Sequence, residues 1–397
     1  MKCVSIKRLQ SIEGKRVMVR VDFNVPLKRK VVLDDAKLRA SLPTIQYLVE
    51  KKAKVILVTH LGRPQGKVVK SLQVQTVGEC LSELLKQPIY SIGVSGGSVA
   101  VRAIKELEPG GIILLENIRF DAHEKDNAGD LGKRLAALAD IFVLDGFAVA
   151  HRNDASIVGV APHMPSYAGL LLQKEIKGLD TILKHPKSPF VVIMGGIKIE
   201  TKIPVIKQLL PNADVVLVGG GLCNTYLRGM GYGTGDSVVD MDMKRLAVHY
   251  GKKKKVIMPV DVIVGDFKGK HTRVVEIQSD PHQICGLGEA ILDIGPKTIE
   301  LFSTYIQKAK MIAWNGALGY FEQKPYQIGT FAIAELVAER SKGGAYGVIG
   351  GGETLQVMEI LGLKDSIDLV STGGGAMLQY LGGEILPGIA VLQKKHI

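Results

Sequence analysis

What most constrains this chain is an alternation of short apolar runs with helical patterns, and the alternation recurs in both halves. Residues 16–21 read as a strand, 36–51 as a helix and 55–58 as a strand again. A helix over 72–85, a strand over 112–115, a helix over 131–139 and a strand over 141–144 follow. Short apolar strands separated by helices predict an α/β fold whose parallel sheet is covered on both faces. In such a sheet the ligand crevice lies at the C-terminal ends of the strands. The residues just past each apolar run therefore carry the functional reading.

Past the first run stand Asp22, Asn24 and Pro26, and past the second His60, Gly62 and Arg63. Glu116, Asn117 and Arg119 follow the run at 112–115, and Asp145, Gly146, His151 and Arg152 follow 141–144. A guanidinium fork matches the oxygens of carboxylate and phosphate. Three arginines at the ends of separate strands thus predict a pocket for a small phosphorylated acid. Any one of them alone is as well explained by a surface ion pair, and His60 and His151 singly by packing.

Pro162, Pro165 and Ser166 punctuate the end of this half. Residues 167–185 read as a connecting helix, stopped by His185-Pro186-Lys187-Ser188-Pro189. A length of 397 residues suits two such domains, 1–166 and 186–383. In the second, 190–194 leads to Gly195-Gly196-Ile197-Lys198, 215–218 to Gly219-Gly220-Gly221, and 311–314 to Asn315-Gly316. The run at 346–349 leads to Gly350-Gly351-Gly352, and 369–370 to Ser371-Thr372-Gly373-Gly374-Gly375. A helix over 243–250 and a strand over 256–264 lie between.

Glycines at strand ends let backbone approach a ligand closely. Glu353-Thr354 opens a helix whose first amides suit phosphate, and Thr354 adds a hydroxyl. Glu353 would repel phosphate unless a cation lay between, and Mg²⁺ is the hard cation held by one or two carboxylates plus substrate phosphates. Lys198 and Lys202, four apart at a helix start, share a face and suit successive phosphates. Singly, a glycine turn is a common connection and a lysine is usually solvated. No GxxxxGK[ST] loop occurs, and residues 215–224 lack the third glycine of GxGxxG, so the nucleotide domain is of another kind.

The formal charge of +12 raises nucleic acid as a partner, but the basic residues are dispersed and aromatics are only 5%, too few for a stacking platform. Residues 251–255, the sharpest basic run, read as a solvated turn. A small anionic substrate explains the excess equally well. Four scattered cysteines argue against a disulfide framework, no run reaches membrane-spanning length, and the first ten residues lack a signal peptide's apolar core. The expectation is a cytoplasmic protein with neither nucleic acid nor membrane as partner.

Taken together, VRVDFNVP (19–26), LPTI (42–45), THLGRP (59–64), LLENIRF (114–120), DGFAVAHR (145–152), GGIK (195–198) with Lys202, WNGALGYFE (314–322), GGGET (350–354) and STGGGA (371–376) closely resemble phosphoglycerate kinase, in order over nearly the whole chain. The resemblance implies two Rossmann-like lobes joined by a hinge, the C-terminal tail at about 384–397 packing back on the first lobe. It implies phosphoryl transfer between 1,3-bisphosphoglycerate and ADP, giving 3-phosphoglycerate and ATP in glycolysis, by a monomer with Mg²⁺. By motif position Asp22, Asn24, Lys37, His60, Arg63, Arg119 and Arg152 bind phosphoglycerate. Gly196, Ile197, Lys202, Gly220, Gly221, Asn315, Glu322, Gly351, Gly352, Glu353 and Thr354 bind nucleotide, Glu353 also taking the metal. Lys198, Lys37, Gly352 and Gly375 are the catalytic set.

Four positions depart from the family pattern. Lys37 stands where the family has a catalytic arginine, and a point charge does not replace a planar fork. Arg39, two positions along the helix, points to another face and is a poor substitute. Thr201 replaces an Asp beside the two lysines, Glu353 replaces the usual metal-binding Asp, and Ala317 replaces a Pro. An active but slower enzyme is the expectation, with a member of weakened or lost catalysis as the alternative. A nucleotide-dependent dehydrogenase using residues 215–224 and a basic nucleic-acid-binding protein are the rival readings.

Overall fold

Six strands of the N-terminal half pair in parallel in the order Ile89–Ser91, Ile112–Leu114, Lys54–Val58, Arg16–Arg20, Ile141–Leu144 and Ser166–Ala168. In this computed structural model, which describes residues 3–393, helices pack on the sheet, and Val17, Val19 and Val21 bury against Leu38, Ile45 and Leu48 of the helix Ala36–Glu50. Buried apolar surface of this kind contributes roughly 25 cal/mol per Å². The side chains one register out, Met18 and Arg20, lie buried on the opposite face, as the period of two requires.

The chain divides into two units, the first made of residues up to Ile176 with the segment from Ile385, the second Lys177–Glu384. In the second, parallel strands run in the order Val256–Ile257, Val215–Val218, Phe190–Met194, Met311–Asn315, Tyr346–Gly350, Leu369–Ser371. Numbered along the chain, that order is 3-2-1-4-5-6. It reverses between Phe190–Met194 and Met311–Asn315, and a doubly wound sheet takes its ligand at such a switch point. Gly195 and Gly316 follow those two strands.

Two elements differ from the sequence expectation. The helix expected from residue 167 begins at Leu170, because Ser166–Ala168 forms a sixth strand on Ile141–Leu144. Thr44 Oγ1 accepts from Leu170 N at 2.9 Å, and Asp145 Oδ1 accepts from Leu171 N at 3.0 Å, closing the helix N-terminus. Burial pushes the Asp145 carboxyl up to about 7. The strand expected over 256–264 is two strands in different sheets, separated at Pro259. Val256–Ile257 edges the parallel sheet, while Asp261–Gly265 lies in an antiparallel sheet between Thr272–Glu276 and Ala290–Ile294.

Near the C-terminus Gly388 N donates to Ala150 O at 2.8 Å, and Leu386 and Ile389 are buried. Residues 394–397 of the tail expected at 384–397 lie outside the described residues. Among the described residues no helix is long and apolar enough to cross a membrane.

Candidate functional site

The first unit carries a guanidinium-lined cavity. Arg63, Arg119 and Arg152 wall a space of about 700 Å³ together with Gln65, Asp121, Glu124 and Lys125. Arg119 comes from the turn after Ile112–Leu114, and its Nη1 donates to Gly62 O at 2.7 Å. Burial, and next the neighbouring Arg152, lower the Arg119 guanidinium to about 10, against the opposing pull of Asp154, which stands 4.0 Å away. Arg152 Nε is buried without a partner among the described residues, a donor aimed at nothing in the protein.

Asp22, Asn24, Lys37 and His60 do not line that cavity. They form a connected group joined to it through Gly62, whose N–H donates to Asn24 Oδ1 at 2.9 Å. Lys37 Nζ donates to Asp22 Oδ2 at 2.7 Å and to Asn24 O at 3.1 Å. Arg39 is turned away and paired with Asp35 four residues back. His60 is 1% exposed, its Nδ1 3.8 Å from Asp22 Oδ1 and its Nε2 without a partner among the described residues. Burial chiefly, then Arg20, Arg119, Arg152 and Lys37, hold its pKa well below the imidazole range.

Arg20, inside the motif at 19–26 but given no role by it, is the hub beneath this group. It is fully buried; its Nε donates to Ser156 Oγ at 2.7 Å, Nη1 to the Val21 carbonyl, and Nη2 lies 3.3 Å from His60 Nδ1. A guanidinium has no acceptor. His60 Nδ1 must therefore accept, and the neutral ring carries its proton on Nε2. Ser156 Oγ in turn donates to Glu124 Oε1 at 2.5 Å, and that carboxylate stands 4.0 Å from Arg20.

In the second unit three turns interlock backbone to backbone. Gly196 N donates to Ala317 O at 2.6 Å, Gly220 N to Leu318 O at 3.1 Å and Gly221 N to Gly196 O at 3.0 Å. Gly196 has φ +73°, and a Cβ there would stand 2.8 Å from Glu353 Oε2 and 3.3 Å from Lys202 Nζ, so the position requires glycine. The turns floor a cavity of about 350 Å³ lined by Gly196, Ile197, Gly220, Gly221, Glu322 and Glu353 at its polar parts and by Val238, Val262, Ile291 and Phe321 elsewhere. Glu353 Oε2 accepts from Ala317 N at 3.3 Å. Lys202 is 5% exposed, and burial lowers its pKa against the opposing pull of Glu353. Lys198 is exposed just before the helix Ile199–Leu209. Gly352 and Gly375 open helices, where first-turn N–H groups lack an intrahelical partner.

Two residues expected to bind nucleotide are also bonded within the protein. Thr354 is fully buried and its Oγ1 accepts from Gly316 N at 2.8 Å, so the hydroxyl shapes the turn after Met311–Asn315. Asn315 is 3% exposed and donates from Nδ2 to Gly350 O at 2.8 Å, tying neighbouring strands. Gly351, at φ +94°, packs over that amide. No group of three or more His, Cys, Asp or Glu suited to a metal occurs among the described residues. Glu353 alone fits Mg²⁺ only where phosphates complete the donor set, as that ion commonly takes them.

A family model described as phosphoglycerate kinase matches residues 6–384. A phosphoglycerate kinase of Chloroflexus aggregans is 44% identical over 390 residues, 96% of each chain, and one of Dictyoglomus turgidum is 44% identical over 395 residues, 98% of each. Among solved structures, phosphoglycerate kinase from Coxiella burnetii superposes with a TM-score of 0.85 at 37% identity over 99% of each chain. That from Pyrococcus horikoshii gives 0.85 at 33% over 98% of each.

Proposed function

The chain belongs to the phosphoglycerate kinase family, and on that premise we propose how its two pockets share the reaction. It is a phosphotransferase that moves a phosphoryl group reversibly between 1,3-bisphosphoglycerate and ADP, giving 3-phosphoglycerate and ATP in glycolysis. Arg63, Arg119 and Arg152, with Asp22, Asn24, His60 and Lys37 beside them, hold the phosphoglycerate. The nucleotide occupies the second-unit cavity, its phosphates toward Gly196, Lys202 and the helix starts at Gly352 and Gly375, its ribose toward Glu322. The observation that carries this reading is one chain holding both a cavity walled by three arginines and a glycine-floored cavity where Glu353 and Lys202 meet the turn at Gly196.

Phosphoryl transfer depends on positioning and charge neutralisation, and the attacking oxygen is already anionic, so no general base is required. Lys198 and Lys37 neutralise the equatorial oxygens of the moving group. Glu353 would hold Mg²⁺ together with the nucleotide phosphates, where the ion neutralises their charge. Because the two substrate sets belong to different units, transfer requires the units to bring them within bonding distance. None of the four cysteines is in a disulfide, which accords with a reducing cytoplasm.

ATP formation from ADP and 1,3-bisphosphoglycerate, followed across a Mg²⁺ titration, tests the reading. Glu353→Gln is expected to raise the Mg²⁺ concentration for half-maximal rate by roughly tenfold or more, with the KM for bisphosphoglycerate unchanged. An unmoved Mg²⁺ requirement removes Glu353 from this role.

Lys37 carries a second expectation. Its ammonium is already shared between Asp22 and the Asn24 carbonyl, leaving one proton for a phosphoryl oxygen. An arginine has five donors in a fork and can keep both protein contacts while presenting two to substrate. Lys37→Arg should raise kcat by about three- to tenfold, on the order of one charge-assisted hydrogen bond. A kcat that falls would show that the site has been rebuilt around lysine.

A further inference from the structure

Between Asn24 and Lys37, two residues of the proposed phosphoglycerate set, the chain forms a small hairpin. Leu27–Lys28 pairs antiparallel with Val31–Val32. Leu27 and Val32 pack against the core of the first unit, and Leu33 N donates to Pro26 O at 2.9 Å, so the hairpin is held at its base. Arg29 and Lys30 are left as a two-residue loop, and both have positive φ, +48° and +63°. Positive φ at both central residues is the type I′ geometry, which Asn-Gly or Asp-Gly takes at least cost. A long L side chain is disfavoured there.

Local folding thus gives no reason for Arg29-Lys30. What the two share is charge, and with Lys28 they set three cations in a row at the tip. All three are exposed, and among the described residues none of their side chains has a hydrogen bond or ion pair. Of the acids in this segment, Asp22 is paired with Lys37 and Asp35 with Arg39, which leaves Asp34 against three cations. Five residues of extended chain span at most about 17 Å, so Arg29 lies within that distance of Asn24. Asn24 in turn joins the arginine cavity through Gly62, which bonds both Asn24 and Arg119.

We propose that Lys28, Arg29 and Lys30 form a steering element for the phosphoglycerate site: fixed, exposed charge that speeds capture of the anionic substrate and takes no part in the transfer. This rests on the reading of the arginine cavity as the phosphoglycerate site. Clustered charge raises association rates, and the gain falls steeply with ionic strength. Phosphoglycerate, a carboxylate with a phosphate, carries about three negative charges. Two cations at about 15 Å from it, screened as at 0.01 M salt, are worth roughly fivefold in capture rate, and less than about twofold at 0.15 M.

The test follows ATP-dependent phosphorylation of 3-phosphoglycerate in two double variants, Arg29→Gln with Lys30→Gln and Arg29→Asn with Lys30→Gly, each compared with wild type at the same salt. Both remove two charges; only the second also relieves the turn, and its thermal midpoint should rise by about 2–4 °C. In both, kcat/KM for 3-phosphoglycerate should fall about fivefold at 0.01 M ionic strength, less than about twofold at 0.15 M, and not at all at about 1 M, with kcat unchanged throughout. A fall that persists at the highest salt is a short-range contact and overturns the steering role. So does a fall confined to the Asn-Gly variant, or no fall in either. Arg63→Gln, at an exposed position on the cavity wall, checks the site itself and should raise KM for 3-phosphoglycerate about tenfold. If that KM does not move, the placement of phosphoglycerate in this cavity falls, and steering toward it falls too.

Discussion

Lys198→Ala is expected to lower kcat by roughly 10²- to 10³-fold while the KM values for both substrates move by less than about threefold. The two second-unit lysines occupy different environments, and that difference decides which of them acts on the transition state. Lys202 is buried beside Glu353, so its charge is spent largely within the protein and on whatever Glu353 holds. Lys198 is exposed, and among the described residues it forms no ion pair. Its backbone, by contrast, is pinned: Thr201 Oγ1 donates to Lys198 O at 2.8 Å at the start of the helix. A fixed root with an unspent ammonium is the arrangement that stabilises charge appearing only during transfer. Removing an exposed side chain of this kind shifts folding stability by no more than about 0.5 kcal/mol, so a loss of rate would report chemistry. If KM rose with kcat intact, Lys198 would be a ground-state binding residue and the assignment would fail.

The sequence made the sheets legible because their strands are apolar runs buried on both faces, and the arginines legible because they stand just past such runs. It failed where the physical signal was weaker or nonlocal. Ser166–Ala168 is three residues long and carries Ser and Tyr, so nothing in its composition separates it from the helix that follows; only pairing with Ile141–Leu144 makes it a strand. Residues 256–264 read as one run because only Pro259 and Asp261 interrupt it, yet a proline cannot donate to a ladder and the chain changes sheet there. Thr354 sits in a glycine-rich turn and reads as a phosphate ligand; burial also turns its hydroxyl to Gly316. Asn224 stands three positions past Gly221 on a helix, where asparagine is unremarkable until its buried Oδ1, partnerless among the described residues, is seen in three dimensions. Arg20 was hidden for the opposite reason. It lies inside the strand Arg16–Arg20, and an arginine at a strand end ordinarily reads as solvated.

Arg20→Met should destabilise the protein by about 3–5 kcal/mol, because it deletes one half of a buried ion pair and strands the other. Glu124 is 1% exposed, and with Arg20 gone its remaining support is Ser156, whose Oγ and N both donate to it. At roughly 2–4 °C per kcal/mol for a domain of this size, the thermal midpoint should fall by about 10 °C. A substitution that merely opened a cavity would give the same drop, so the decisive variant is the pair. Neutralising the stranded carboxylate as well, in Arg20→Met with Glu124→Gln, should restore much of the loss, and the two changes should be clearly non-additive. Stability is only half of the expectation. His60 Nδ1 accepts from Arg20, which places the ring proton on Nε2, and under the proposed function His60 belongs to the phosphoglycerate set. The restored double variant should therefore fold well yet bind phosphoglycerate about tenfold more weakly, roughly the worth of one oriented hydrogen bond. ¹⁵N resonances of His60 would read the tautomer directly, Nε2-protonated in wild type and redistributed once Arg20 is gone. Additive stability losses would show that Glu124 does not depend on Arg20, and an unchanged tautomer in the double variant would show that the guanidinium does not orient the imidazole.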